Sequence, residues 1–516
     1  MERIMKQGKR GKPRGLRELA GMILFLGLFL YPVHAGSAPD SACLTMGVGR
    51  DFYEGRGSRT FLHGSTGTWE ALTRLDSNLE AEPWLATAWE SREGGRVWVF
   101  LLRDGVRFHD GTPFTAHEAA LSVQRILDNP RFDPGGNLRE VVSVTPRGRS
   151  ELVFQLDRPV PGFPKRVAYY SSPMIKPDCF DGKGNLTSFI ATGPFKLNKV
   201  LPGREVRLDA FNGYWGTRPF YKKVIFKTIP DARTRVAALK AGAIDVVADV
   251  GGILPEQVPD LQSDPGIRVD QVEVATTHVL LFNCGAPPFD REGARRWLAG
   301  ALDRKTVVNL FAQGGGVVAS SPYTRLGRNK ALGPIQPARA PMPDFPGEKE
   351  VILILHGGTL ERWPYLSIAQ VVVDLLRQAG LSARIEIREP GSFQASIKSR
   401  QYHLAIQPYT LMTGDPDFFY SYFIAGKAAR SLGWVHPEAD RLILAARYEM
   451  DAIKRASLYA RLETLMADHL PLLPLFHDKP YYAFQNRVAD FTMDHMFRPG
   501  LIRARPAGEE GQKENL

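Results

Sequence analysis

Apolar and polar residues along this chain recur in two periods, one typical of strands and the other of helices. The run Arg96–Leu102 is apolar and β-branched or aromatic at most positions, and it predicts a strand. Arg103–Gly105 has the composition of a turn, and Val106–Phe108 is predicted to run back as a second strand. Shorter apolar runs at 205–208 and 224–228 predict two further strands. The first half is therefore expected to mix strands with helices.

Polar residues at fixed spacing mark where helices begin. Thr115 and Glu118 have the spacing of a capping box, which predicts a helix through about residue 127. Asp231 is predicted to cap a second helix, which Gly242 ends. Asp290 is predicted to cap a third, with apolar residues at helical spacing behind it.

The second half alternates strand and helix patterns in a regular order. Strands are predicted at 351–355, 381–387 and 402–407, with helices between them at 363–378 and 393–399. This βαβαβ order favours a parallel α/β sheet. Because ligands of such sheets bind at the carboxyl ends of strands, residues 408–416 are the predicted ligand-contacting loop.

The N-terminus has the pattern of a secretory signal peptide. Seven Lys and Arg residues precede an apolar run, Ala20–Tyr31, and small residues ending at Ala35 follow it. An uncleaved anchor is the alternative, but the run is shorter than the ~20 residues that span a bilayer. Lipidation at Cys43 is a second alternative, which Asp40 disfavours because a lipidation motif needs an apolar residue there.

Composition and charge narrow the class of protein. The 516 residues are 44% hydrophobic and 23% charged, which is ordinary for a globular protein of more than one domain. The formal net charge is +11, and the N-terminal segment carries much of that excess. No dense Lys/Arg run occurs after it, so a nucleic-acid partner is not expected.

Motifs for catalysis or metal binding are incomplete. His117-Glu118 begins like the zinc motif H-E-x-x-H, but Leu121 replaces the second histidine. Neither a G-x-S-x-G elbow nor a P-loop is present, and Gly314–Gly316 is interpreted as a loop. The eleven histidines are scattered, so we expect no catalytic residue, no metal site and no cofactor.

Three cysteines, Cys43, Cys179 and Cys284, leave the disulfide state open. An oxidising compartment permits one disulfide and leaves one thiol over, and the sequence does not choose the pair.

Six segments in a fixed order carry a family resemblance. They are 84–90, 97–116, 192–195 with 211–216, 229–246, 282–304, and Asp415-Pro416 with 459–477. Together they resemble the extracellular solute-binding proteins, family 5 type, of peptide and nickel ABC importers, over roughly residues 45–500. Each segment alone is weak evidence for the family, but the occurrence of all six in the same order makes the resemblance specific.

The resemblance implies an α/β fold of two lobes around a ligand cleft, with a hinge between them. Lobe I is expected at 36–274, with a smaller subdomain near 78–190, and lobe II at 275–476. The chain is then expected to return to lobe I at 477–507 and to end in a flexible tail at 508–516. The hinge crossings are expected near 272–277 and 474–479.

The implied function is a periplasmic, non-enzymatic receptor, expected to be a monomer. It would capture a small solute, a peptide or a metal chelate, and deliver it to the permease and ATPase subunits of an ABC importer. A chaperone or sensor receptor of the same fold is an alternative. A secreted hydrolase is another, which the missing nucleophile motifs disfavour.

The resemblance also implies where ligand-binding residues lie. In the predicted loop they are Tyr409, Thr410, Met412 and Asp415, and on the lobe I side of the cleft they are Phe61, His63, Tyr169 and Tyr170. Nickel-binding relatives carry Trp and Tyr where this chain has Thr410 and Gly414, and peptide-binding relatives carry Asp in place of Met412. The identity of the solute therefore stays open.

Each of these residues also has a structural interpretation. Met412 can fill a gap in a core, and Asp415 before Pro416 can simply start a turn. The aromatic residues can serve packing alone.

Overall fold

The computed structural model describes a large part of the chain. It covers residues 42–50, 67–129, 132–133, 135–168, 173–182, 185–319, 321–324, 326, 340–344, 350–426 and 431–509. The predicted signal peptide, its cleavage site, and Phe61, His63, Tyr169 and Tyr170 lie outside these residues.

The described residues form a mixed α/β structure. The strands are β1 Cys43–Val48, β2 Thr73–Leu75, β3 Ala81–Pro83, β4 Ala86–Arg92, β5 Val97–Leu102, β6 Val141–Arg147, β7 Glu151–Leu156, β8 Phe195–Leu201, β9 Glu205–Ala210, β10 Lys223–Thr228, β11 Val246–Val247, β12 Ile267–Gln271, β13 Thr276–Phe282, β14 Gly316–Val318, β15 Val351–His356, β16 Ala383–Arg388, β17 Leu404–Thr410, β18 Leu472–Asp478, β19 Tyr481–Gln485, β20 Val488–Ala489 and β21 Arg505–Pro506. The α-helices are α1 Ala116–Asp128, α2 Phe163–Arg166, α3 Ala232–Lys240, α4 Val258–Gln262, α5 Glu292–Ala301, α6 Arg304–Phe311, α7 Tyr365–Gln378, α8 Pro390–Ser399, α9 Pro416–Phe423, α10 Pro437–Tyr448 and α11 Ala452–His469.

Two large sheets and one smaller sheet organise these elements. The seven-stranded sheet has the order β12-β19-β11-β1-β10-β9-β8, and the six-stranded sheet has the order β14-β18-β13-β17-β15-β16. The smaller sheet, β4-β5-β7-β6, carries α1 on one face, where Phe100, Phe154 and Val123 are buried together. In the six-stranded sheet β15 pairs in parallel with both β16 and β17, so the predicted βαβαβ unit is confirmed.

The chain passes between the two large sheets twice, by short segments. Residues 272–275 lead from β12 to β13, and residues 479–480 lead from β18 to β19. The two segments lie side by side, because the Val272 amide donates to the Pro480 carbonyl (3.3 Å) and the Val274 amide donates to the Asp478 carbonyl (3.2 Å). These few residues are therefore the covalent connection between the two sheets, which is where a hinge would lie.

Two of the three predicted helix caps are confirmed. The Thr115 hydroxyl and the Glu118 carboxylate form the capping box of α1, and the Asp231 carboxylate accepts from the Thr234 amide at the start of α3. The prediction for Asp290 is wrong, since Arg291 is the N-cap of α5. The Asp290 amide instead donates to the Ala286 carbonyl, in a turn that precedes the helix.

Two strand predictions are corrected by the structure. Val106–Phe108 does not run back along β5, because β4 and β7 already occupy both edges of that strand. Val106 and Phe108 are instead buried in the cluster that includes α1. Strand β17 continues three residues further than predicted, to Thr410, because β13 extends opposite it and pairs Thr276 with Thr410.

Glu70, which shortly precedes β2, is a fully buried carboxylate. The Tyr214 hydroxyl donates to its Oε1 (2.9 Å), and the Trp215 indole donates to its Oε2 (3.0 Å). Burial raises the pKa of Glu70 to about 7, although both hydrogen bonds act in the opposite direction. The cost of removing water from the charged carboxylate thus exceeds the stabilisation that the two hydrogen bonds give to it.

No disulfide joins Cys43, Cys179 or Cys284. Cys179 is fully buried, and burial raises the pKa of its thiol. Burial also raises the pKa of the Cys284 thiol, to about 11. Both thiols are therefore unreactive at neutral pH, where the thiolate is the reactive form.

We expect three titratable thiols per chain in denaturant without reductant. A coloured disulfide reagent measures them, and in the folded protein Cys179 and Cys284 should react much more slowly than after unfolding. Only one thiol in denaturant would show that two of the cysteines are paired.

Candidate functional site

The loop that connects β17 to α9, Leu411–Asp415, lies at the carboxyl end of a strand of the six-stranded sheet. Its first residue is tied to a crossing segment, because the Leu411 amide donates to the Ala275 carbonyl (2.8 Å). The hydroxyl groups of Thr410 and Thr276 are hydrogen-bonded at 2.7 Å. The loop therefore connects directly to the segment that joins the two sheets.

The four predicted residues of this loop region differ in exposure. Thr410 and Met412 are half-buried, whereas Tyr409 and Asp415 are buried. The Tyr409 ring packs against the rings of Phe419 and Phe423 at 5.3 and 5.1 Å between centroids. Burial raises the pKa of Tyr409 well above its ordinary value, and its hydroxyl makes no hydrogen bond to a described residue.

Asp415 has protein partners for both carboxylate oxygens. One Arg455 nitrogen lies 2.7 and 2.8 Å from the two oxygens, and the Asp417 amide donates to Oδ1 (2.9 Å) at the N-terminus of α9. Burial acts to raise the pKa of Asp415, but the Arg455 guanidinium outweighs it and holds the pKa at about 2. The carboxylate is thus ionised, and its charge is neutralised inside the protein.

Asp417, two residues further along the chain, is the centre of an ion cluster that joins distant parts of the chain. Its Oδ2 lies 2.9 Å from an Arg139 nitrogen and 3.1 Å from an Arg166 nitrogen, and its Oδ1 lies 2.8 Å from Arg447 Nε. Glu140 pairs with Arg166 at 2.6 Å and with Arg139 at 3.0 Å. We call these five residues the Asp417 cluster.

The Asp417 cluster links the smaller sheet to the helices that lie between β17 and β18 along the chain. Arg139 and Glu140 directly precede β6, and Arg166 ends α2, whereas Asp417 and Arg447 belong to α9 and α10. Burial acts to raise the pKa of Glu140, but Arg166 and Arg139 outweigh it and lower that pKa. Such buried charges are stable only while they remain paired.

Two glycines mark further close contacts between the same parts of the chain. A side chain on Gly414 would place its Cβ 2.7 Å from the Leu79 carbonyl oxygen, and one on Gly251 would place its Cβ 2.6 Å from Arg362 Cα. Both glycines have positive φ, 63° and 62°, which disfavours other residues. A larger residue at either position would therefore push the contacting segments apart.

Sequence analysis did not find the Asp417 cluster. Asp417 and Arg139 are 278 residues apart, so no local period or spacing relates them. The one available signal is the second acidic residue in Asp415-Pro416-Asp417, which on an exposed helix start would be unremarkable.

Neither metal ligation nor a membrane span is found among the described residues. No group of three or more His, Cys, Asp or Glu side chains within them lies close enough to hold a metal ion. None of the helices in that part of the chain combines the length and the apolar character that a bilayer span needs.

Two large sheets joined by paired crossings define a two-lobed α/β binding-protein fold, and solved structures agree. NikA from Brucella suis in complex with Fe(III)-EDTA superposes with a TM-score of 0.79 at 22% identity, over 90% of this chain and 99% of that one. DppA from Helicobacter pylori in complex with the peptide STSA gives 0.76 at 20% identity, over 90% and 98%. The predicted fold class is confirmed.

The family follows from sequence comparison. The model of "Bacterial extracellular solute-binding proteins, family 5 Middle" matches residues 80–430, more than half of the chain. The dipeptide-binding protein of Escherichia coli K12 is 26% identical over 464 residues, 80% of this chain and 84% of that protein. The nickel-binding periplasmic protein of the same organism is 28% identical over 284 residues, 53% and 54%. This chain belongs to the family 5 extracellular solute-binding proteins, as its resemblance predicted.

Proposed function

We propose that this protein is the receptor of an ABC importer, which captures a peptide or metal-chelate solute between its lobes and delivers it to the membrane permease. It acts in the periplasm as a monomer without catalysis, after its signal peptide is cleaved. The observation that carries the proposal is the pair of adjacent crossings, 272–275 and 479–480, between the two large sheets. Relatives named for dipeptide and nickel binding support the range of solutes.

Closure on the solute is the mechanism that this geometry supports. A solute that contacts both lobes lowers the free energy of the closed state relative to the open state, and only this difference drives closure. The hydrogen bonds between Val272 and Pro480 and between Val274 and Asp478 keep the crossings together while the lobes move. The permease then recognises the closed form.

The loop after β17 supplies part of the proposed solute site. We propose that Thr410 and Met412 contact the solute and that Tyr409 and Asp415, buried behind them, help to form the site by fixing the loop. Phe61, His63, Tyr169 and Tyr170 complete the proposed set from the lobe I side. Because Asp415 and Asp417 are already paired with arginines, neither offers a free carboxylate to a solute's ammonium group.

A screen with di- and tripeptides and nickel–histidine complexes tests this function. A true solute stabilises the folded protein, by ~2.7 kcal/mol at a concentration one hundred times its dissociation constant, and so raises its melting temperature. Small-angle scattering should also show a more compact particle when the solute is bound. Met412→Arg should weaken binding at least tenfold, because a charged side chain would fill the space beside the loop. Met342→Arg, at a residue 58% exposed, is the matched control.

Two outcomes would contradict the proposal. One is the absence of binding by every member of the screen and of any co-purified solute detected by native mass spectrometry. The other is tight binding that Met412→Arg leaves unchanged, which would remove the loop from the site.

A further inference from the structure

A cavity lies within lobe II, away from the crossings. It encloses about 350 Å³ between α8, β17 and the end of α9. Its apolar part is formed by Leu281, Phe423 and Leu432, all buried, and its polar part by Gln394, Lys398 and Gln407. We call it the α8–β17 pocket. Its volume falls within the usual range of small-molecule sites.

Gln407 is the unusual residue of this pocket. Side chains alternate along β17, so that Ile406 enters the apolar cluster on one face of the sheet and Gln407 points to the other face, where the pocket lies. Gln407 is only 6% exposed, and its amide makes no hydrogen bond to a described residue. The amide keeps a small contact with solvent, so its donor and acceptor are available to an occupant of the pocket.

The charge of the pocket favours an anion. Lys398, an exposed residue at its edge, is the one charged residue among the described lining residues, and its ammonium group forms no ion pair with a described residue. Gln394 lies one helical turn before Lys398, so both side chains project from the same face of α8. None of the described residues that line the cavity is acidic. A carboxylate would therefore meet an ammonium donor and amide donors without repulsion.

The apolar part of the pocket favours a flat, hydrophobic body. The rings of Tyr422 and Phe423 lie edge to face at 4.7 Å, and Tyr422 is 50% exposed at the rim. Leu281 and Leu432 close the other side. An aromatic or short branched group fits such a lining and gains from burial of its apolar surface.

We propose that the α8–β17 pocket is a second ligand site, for a small monocarboxylic acid with a flat apolar body. The carboxylate accepts hydrogen bonds from the Lys398 ammonium and the Gln407 amide, and the body packs on Phe423 and Leu281. Every lining residue belongs to lobe II, so occupation needs no contact with lobe I and no closure. The site is therefore separate from the proposed solute site.

Phenylacetate is the probe, and its affinity is measured by calorimetry on the full mature chain. Lys398→Ala and Gln407→Leu are each expected to weaken phenylacetate binding about tenfold or more, since each removes a partner of the carboxylate. Neutral phenylacetamide should bind more weakly than phenylacetate to the unaltered protein. Lys199→Ala, at an exposed lysine on β8, is the matched control and should bind phenylacetate normally.

The outcomes separate this site from the solute site. Met412→Arg should leave phenylacetate binding intact, and scattering should show no compaction. If Met412→Arg abolishes phenylacetate binding while Lys398→Ala and Gln407→Leu do not, the acid occupies the cleft, and the second site is refuted while the receptor function stands. Absence of phenylacetate binding, with folding verified by circular dichroism, also overturns the proposal.

Discussion

Asp417→Leu is expected to lower the free energy of unfolding by about 3–5 kcal/mol. The change removes the one carboxylate that faces Arg139, Arg166 and Arg447, all within 3.1 Å of it. Asp417 is 4% exposed, and its loss leaves the Arg447 guanidinium without an ion-pair partner among the described residues, whereas Arg139 and Arg166 keep Glu140. Urea unfolding at neutral pH measures the loss.

A double substitution identifies the cause of that loss. Asp417→Leu with Arg447→Met should be less destabilised than the two single effects added together, because one stranded guanidinium is gone. Asp260→Asn is the control, since its ion pair with Lys240 is exposed and should leave the unfolding midpoint unchanged. If Asp417→Leu proves as harmless as Asp260→Asn, the cluster does not stabilise the contact between the lobes.

Glu70 is expected to make the protein less stable as the pH rises from about 4.5 to 7. Its pKa is about 7 in the folded chain, against 4.5 for the ordinary carboxyl group, so the folded state binds a proton that the unfolded state has released. This proton stabilises the folded state fully when the pH is below the pKa of Glu70 in the unfolded chain. The stabilisation is lost as the pH rises through the pKa of Glu70 in the folded chain. The separation of the two pKa values corresponds to about 3 kcal/mol.

Glu70→Gln isolates this effect. Glutamine stays neutral at every pH and keeps an oxygen for the Trp215 indole, so its unfolding free energy should be flatter between pH 4.5 and 8. Glu90→Gln, at an exposed carboxylate beside Arg92, is the control and should follow the unaltered protein. Parallel pH profiles for Glu70→Gln and the unaltered protein would refute the raised pKa.

The parts of the fold that depend on neighbouring residues could be predicted from the sequence. The α1 capping box is set by Thr115 and Glu118, three residues apart, and the βαβαβ unit by regular apolar periods. The end of β17 could not be predicted, because its last residues are ordered by Thr276–His278 on another strand. Pro408 within the run also suggested a loop.

The candidate sites depend on contacts between distant residues, and sequence reasoning located only part of them. The loop after β17 follows from the rule for carboxyl ends of strands. The partners of Asp415 and Asp417, by contrast, come from Arg455 and from an arginine 251 residues away in the chain. Gln407 looked like an ordinary strand residue, since only the packed structure shows that it lines a pocket.

The short link between β18 and β19 has a consequence for biosynthesis. β18 is an interior strand of one large sheet, between β14 and β13, and β19 is an interior strand of the other, between β12 and β11. A nascent chain that ends at Leu470 therefore lacks a central strand in both sheets at once. Neither large sheet can complete its hydrogen bonding until residues 472–485 have been synthesised, so both sheets are finished late and together.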